Sequence, residues 1–432
     1  MMLLVLTFFV ALANVTAADT TAFVNVNVLP MDSERVLERH TVLVDGDRIV
    51  AVGPVDAVAV PDRATVVDGT GMWLMPGLAE MHGHIPPRTQ PREEIEAVLF
   101  LYAANGITTV RGMLGWPGQL DLREGALTGQ ILSPTLYLAG PSFSGQTVGT
   151  PEEARERARR QVAEGWDLLK VHPGLDRATY DAMANEARRL GITFGGHVPA
   201  DVGLEHALEM GQLTFDHMDG YNAHLGTDRA PDPEDLQAIV ERTRQAGAWI
   251  VPTSVLWELF LGVADIQELT SRPELKYTSA QNVASWTRAY RTRLENAPPD
   301  GPRMAKNRKI ILKALSDGGV PILMGTDAPQ QFSIPGFSLH REVAYMVQAG
   351  MTPYEVLVSG TRNVGRYFAD KDTFGLVAEG HRADLVLLTA NPLEDIRAID
   401  EIEGVMLRGR WMPRAEIDAR LAEIEAWYAR DH

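Results

Sequence analysis

A chain of 432 residues with 45% hydrophobic and 22% charged side chains is long enough for a large core and ordinary in globular composition. A formal net charge of −17 excludes a binder of phosphate backbones, which needs clustered Lys and Arg, so no nucleic-acid partner is expected. The absence of cysteine excludes disulfides, thiol nucleophiles and thiolate ligands, so any metal must sit on nitrogen and oxygen donors.

In chain order, residues 1–17, MMLLVLTFFVALANVTA, read as a secretory signal. A short apolar core ends in small residues, with Val15 and Ala17 placed for cleavage before Ala18. The n-region lacks Lys and Arg, and an uncleaved anchor is the alternative, although the apolar run is short for a full span. The expected address is exported, periplasmic or secreted, with no stable membrane association after cleavage. Residues 18–73 fall into short β-like runs at 22–29, 41–44, 48–52 and 64–67. Asp45-Gly46-Asp47 marks a hairpin turn, and Gly53-Pro54 closes the third run.

From 74 to 370 the texture changes to strands alternating with helices. Candidate strands lie at 78–84, 108–113, 135–139, 168–172, 193–198, 213–218, 249–253 and 321–327. Thr150-Pro151-Glu152-Glu153, Asp232-Pro233-Glu234-Asp235 and Thr352-Pro353-Tyr354-Glu355 each open a helix with a capping residue and Pro at the first position. Eight such units predict an α/β fold with a closed (β/α)₈ TIM barrel. A doubly wound open sheet would need a phosphate-binding glycine turn that is not found.

The 254–303 stretch exceeds usual loop lengths and carries Trp257, Phe260, Tyr277, Trp286 and Tyr290. It is expected to form helices of its own, as a lid over the barrel mouth or as contacts of a homo-oligomer. Residues 371–432 return to a β-like pattern at 384–388 and 404–408, then a hairpin-like Gly409-Arg410 and a helix over 413–432. Neither terminal segment has enough strands to bury a face, so 18–73 and 371–432 are expected to join in one small β-sandwich module around the 74–370 barrel.

The chemistry concentrates at the C-terminal ends of the candidate barrel strands, where barrel active sites are built. His82 and His84, at i and i+2 on a strand, can point to the same face as a natural half of a metal site; the alternative is two unrelated histidines near a turn. Lys170, His197, His217 and Asp327 end later strands. A lone strand histidine is commonly a satisfied core residue, but six such side chains on five strands are hard to assign to packing, and a buried Lys170 needs a partner. His206 is left as a surface or packing residue. Arg111, Tyr137, His172, Tyr221, His224 and His340 are candidate substrate contacts near the mouth. Arg111 is either a bidentate clamp for a substrate carboxylate or half of a structural salt bridge.

The H-x-H strand, Lys170, His197, His217, Gly325-Thr326-Asp327-Ala328 and Gly380-His381-Arg382-Ala383-Asp384-Leu385-Val386 together resemble the amidohydrolase superfamily. The likeness is to its binuclear carboxylated-lysine type, with dipeptidase, prolidase-like and imidazolonepropionase-related members, and it spans nearly the whole chain after the signal. It implies two divalent metal ions, usually zinc, bridged by a Lys170 carboxylated by CO₂. His82, His84 and Asp327 would hold one ion and His197 and His217 the other. A metal-bridging hydroxide would attack the scissile carbonyl with Asp327 as proton shuttle. A mononuclear variant would leave Lys170 without a task. The expected reaction is cleavage of an amide C–N bond in a small molecule, a dipeptide or N-acyl amino acid. A lactonase or other ester hydrolase on the same site is the alternative, as is a non-catalytic metal-dependent binding protein.

Overall fold

The computed structural model describes residues 20–430. The expected signal at 1–17 lies outside the described residues. Five strands come first: β1 (Thr21–Val28), β2 (Leu37–Asp45), β3 (Arg48–Pro54), β4 (Thr65–Asp68) and β5 (Trp73–Pro76). β2 and β3 form a hairpin across the expected Asp45-Gly46-Asp47 turn, where Gly46 takes a φ of +58°.

The middle of the chain supplies β6 (Leu78–Gly83), β7 (Ile107–Gly112), β8 (Thr135–Leu138), β9 (Leu169–Val171), β10 (Phe194–Gly196), β11 (Thr214–Asp216) and β12 (Trp249–Val251). All pair in parallel, as one sheet of order β6-β7-β8 and another of order β9-β10-β11-β12. These strands are buried almost throughout, as expected of parallel sheets covered by helices. Asp167 N donates to Leu138 O (2.9 Å) and Gly140 N to Leu168 O (3.1 Å), linking the two sheets.

The eighth strand expected at 321–327 is not a strand. It makes one isolated bridge, Ile250 to Ile322, and otherwise runs extended between β12 and β6. Leu323 N donates to Ile250 O (2.8 Å) on one side; Met81 N donates to Met324 O and Asp327 N to His82 O (both 2.8 Å) on the other. The regular ladder fails for a local reason. The carboxylate of Glu80 accepts the amides of Thr326 (2.8 Å) and His82 (3.0 Å), so a side chain takes donors that a neighbouring strand would otherwise use.

The last strands are β13 (Leu385–Leu388), β14 (Ile402–Leu407) and β15 (Arg410–Pro413). They join the first five in a single mixed sheet, order β15-β14-β13-β5-β1-β2-β3 with β4 also on β1. The strand pairing shows one hydrogen-bonded sheet and does not divide it into the two layers of the expected sandwich. β5 lies between the terminal segments, parallel to β1 and antiparallel to β13, and joins them. Its apolar face gathers Phe23, Val42, Ile49, Leu74, Leu385, Leu387 and Met406.

Helix punctuation follows the caps read in the sequence. Thr150 Oγ1 accepts from Glu153 N (3.3 Å), and Thr352 and Glu355 make both bonds of a capping box. The 254–303 stretch forms helices at Ser254–Phe260, Ile266–Thr270 and Ala280–Glu295. Leu256, Leu259, Leu269 and Tyr290 close around Phe332, in the loop that follows Asp327. The helix Arg414–Tyr428 buries Ile417 and Ile424. Among the described residues no helix is long and apolar enough to cross a membrane.

Candidate active site

The ends of β6, β9, β10 and β11 and the 321–327 segment bring the six expected side chains together. His84 Nε2 lies 2.5 Å from Asp327 Oδ1, and His82 Nε2 lies 3.8 Å from the same oxygen. One donor atom from each of these three residues falls within 4.8 Å of the others. Lys170 Nζ is 3.1 Å from His82 Nε2, and His217 Nε2 is 3.8 Å from Asp327 Oδ2. The ring of His217 sits 4.5 Å from that of His82 and 4.4 Å from that of His197, centroid to centroid.

Three of the four imidazoles have an oxygen against the other nitrogen. Asp216 Oδ2 lies 2.7 Å from His82 Nδ1, Asp219 Oδ2 lies 2.6 Å from His197 Nδ1, and Thr253 Oγ1 lies 2.7 Å from His217 Nδ1. The backbone bends to allow it: His217 (φ +65°), Thr253 (+45°) and Asp327 (+69°) all sit in the left-handed region, which side chains other than glycine rarely adopt.

Burial governs the charges. Lys170 is fully buried, and desolvation pulls its ammonium down to about 8, against the opposing pull of Asp216 and Asp327. Burial, with the Lys170 cation nearby, lowers His82 well below the usual imidazole value, and burial with the adjacent imidazoles does the same for His217. Both are neutral, as a metal ligand must be. Glu80 is pushed up to about 7 by burial. His217 Nε2 is buried with no hydrogen-bond partner among the described residues, while its Nδ1 is already held by Thr253. An inward-facing lone pair without a partner, next to three more imidazoles and a carboxylate, is a donor set that fits divalent cations. No cysteine thiolate is present to favour softer ions.

The expected substrate contacts fare differently. Arg111 is wholly buried and spends its guanidinium on both oxygens of Asp216 (3.1 Å each) and on Met81 O, so the salt-bridge alternative holds and the carboxylate clamp does not. Tyr137 stacks on Phe368 (3.8 Å) in an apolar cluster with Phe374, away from the imidazoles. Tyr221 is buried with its hydroxyl on Thr243 (2.8 Å), because the left-handed turn at His217 and Met218 sends the following helix into the core. His224 is exposed on that helix. His340 pairs with Asp400 (2.7 Å) and Asn105 O, on a helix that packs against the terminal segments. Only His172 stays at the site, stacked on His197 at 5.1 Å and held neutral by burial, its value lowered to about 2.

Sequence reasoning missed Glu80, Asp216, Asp219 and Thr253. Asp216 carried a signal, standing beside His217 in a strand that is otherwise apolar. Thr253 carried none.

The amidohydrolase family profile matches residues 73–412. The 5-methylthioadenosine/S-adenosylhomocysteine deaminase of Caldanaerobacter subterraneus subsp. tengcongensis is 24% identical over 391 residues, covering 85% of this chain and 84% of that protein. The structure of a bottromycin amidohydrolase superposes with a TM-score of 0.75 at 22% identity, over 95% of this chain and 91% of that one. A Xaa-Pro dipeptidase with methionine bound in its active site superposes with a TM-score of 0.70 at 20% identity, over 91% of this chain and 100% of that one. The chain belongs to the amidohydrolase family, enzymes that hydrolyse carbon–nitrogen bonds.

Proposed function

We propose that this metal-dependent hydrolase cleaves the amide bond of dipeptides or N-acyl amino acids. The observation that carries the reading is the convergence of four imidazoles, Lys170 and Asp327 within a few ångströms. In this reading the two parallel sheets and the 321–327 segment are the staves of one (β/α)₈ barrel, supported by the hydrogen bonds from Asp167 N to Leu138 O and from Leu323 N to Ile250 O. The terminal sheet is then a module of its own, built from 18–73 and 371–432.

His82, His84 and Asp327 would hold one divalent ion, zinc by its donor set, and His197 and His217 a second. Lys170, its amine carboxylated by CO₂ with release of a proton, would offer a carbamate oxygen to each. Bound there, the ions would polarise the scissile carbonyl and make water acidic enough to ionise at neutral pH.

The chain's own residues do the rest. Asp327, with one oxygen facing His84 and the other facing His217, reaches across both histidine pairs. It accepts the proton of the attacking water and delivers it to the leaving nitrogen as the C–N bond breaks, giving a carboxylic acid and an amine. Neutral His172, at the edge of the pair, is placed to steady the carbonyl. An exported location would suit scavenging of peptides.

A panel of dipeptides, N-acyl amino acids and lactones, offered to metal-replete protein, tests this. Turnover of the first two classes supports it. Turnover of lactones alone makes the protein an ester hydrolase, and none in any class makes it a binding protein.

A further inference from the structure

Arg308, in the middle of the helix Gly301–Asp317, is 3% exposed. A guanidinium so deeply buried ordinarily has a carboxylate against it, since an unpaired buried charge is costly. Arg111 and Arg382 obey that rule, each bonded to an aspartate. Arg308 does not: among the described residues no carboxylate lies in salt-bridge contact with it. Its Nη2 donates to Pro252 O (2.9 Å), and its Nε is buried without a partner. The two acids whose charge reaches it are already engaged: Asp219 faces His197 Nδ1 (2.6 Å), and Glu342 spends both oxygens on the amides of Ser254 and Val255 (2.8 Å each).

A second donor stands beside it. The guanidinium lies 4.8 Å from the centroid of the Trp257 ring, and Trp257 Nε1 is also buried without a partner. Pro252 follows β12 and immediately precedes Thr253, whose hydroxyl holds His217. A cation without a carboxylate in contact and a free indole N–H therefore lie beside the 252–253 backbone that carries the hydroxyl on His217, on the side of the 254–303 stretch.

We propose that Arg308, with Trp257 Nε1, receives the free carboxylate of the substrate and makes the enzyme selective for amides of amino acids with an unblocked C-terminus. The inference rests on the amide-hydrolase reading above. It gives Arg308 a counter-ion, and it replaces the part that the sequence had suggested for Arg111. Desolvation pulls Arg308 down to about 10, leaving it cationic at neutral pH.

The test is kinetic. An N-acyl amino acid and its C-terminal carboxamide are compared as substrates of the metal-replete wild type, Arg308→Met and Arg308→Lys. The wild type is expected to prefer the free acid by about 100-fold in kcat/KM, the size of losing one charge-assisted partner in a buried site. Arg308→Met should collapse that ratio toward one through KM, and Arg308→Lys should restore part of it. A wild type that cleaves both equally, or an Arg308→Met variant that keeps the preference, overturns the proposal.

If Arg308→Met does not fold, inhibition of the wild type by the amino-acid product but not by its amide supports the site, and equal inhibition overturns it. If neither substrate is cleaved, the hydrolase reading has failed. Calorimetric binding of the amino acid against its amide then judges Arg308 separately, with tighter binding of the acid supporting the site and equal binding overturning it.

Discussion

Asp216 and His82 meet at 2.7 Å in the buried centre of the protein, and the same carboxylate is gripped through both oxygens by Arg111. Arg111 thus fixes Asp216, Asp216 lies against the Nδ1 of His82, and the Nε2 of His82 faces Lys170 and Asp327. A side chain expected at the substrate instead backs the carboxylate behind an imidazole of the site.

Arg111→Met is expected to destabilise the fold by about 3–5 kcal/mol, because it leaves the buried Asp216 without its strongest partner. Urea unfolding of wild type and variant measures it. A loss well under 1 kcal/mol would mean that the pair carries little, as exposed pairs do.

Thr253→Val keeps the volume of the side chain but removes the oxygen that holds His217 Nδ1. Loss of such an outer partner typically weakens metal affinity about 10–100-fold. Competition with a chelator reads the affinity directly, and an unchanged value would show that His217 is held by packing alone.

Glu342 gives a pH dependence that belongs to the fold rather than to the site. Burial raises its carboxyl from 4.5 to about 7 in the folded chain. A group with a raised folded value binds its proton more tightly when folded. Its contribution is fully present below about 4.5 and is lost as pH rises through 7. Between those values Glu342→Gln should lose less stability with rising pH than the wild type does. Parallel slopes of unfolding free energy against pH would contradict the assignment.

Much of the site was legible because strand ends carry chemistry in a periodic code. His82 and His84 announce a shared face by spacing alone, and Lys170, His197, His217 and Asp327 stand out as polar side chains closing apolar runs. What escaped depends on register between distant strands. Arg111 and Asp216 are far apart in sequence, and only the packing of β7 near β11 brings guanidinium to carboxylate. Tyr221 escaped for another reason: two left-handed residues after β11 reverse the direction of the chain, which no propensity scale records. The helices were readable from caps such as Thr352 and Glu355. The single terminal sheet was not, because β5 pairs with strands from both ends of the chain.

Metal analysis of the purified protein should find about two divalent ions per chain, with Lys170→Ala retaining fewer and losing most activity. One ion in the wild type, together with a fully active Lys170→Ala, would contradict it.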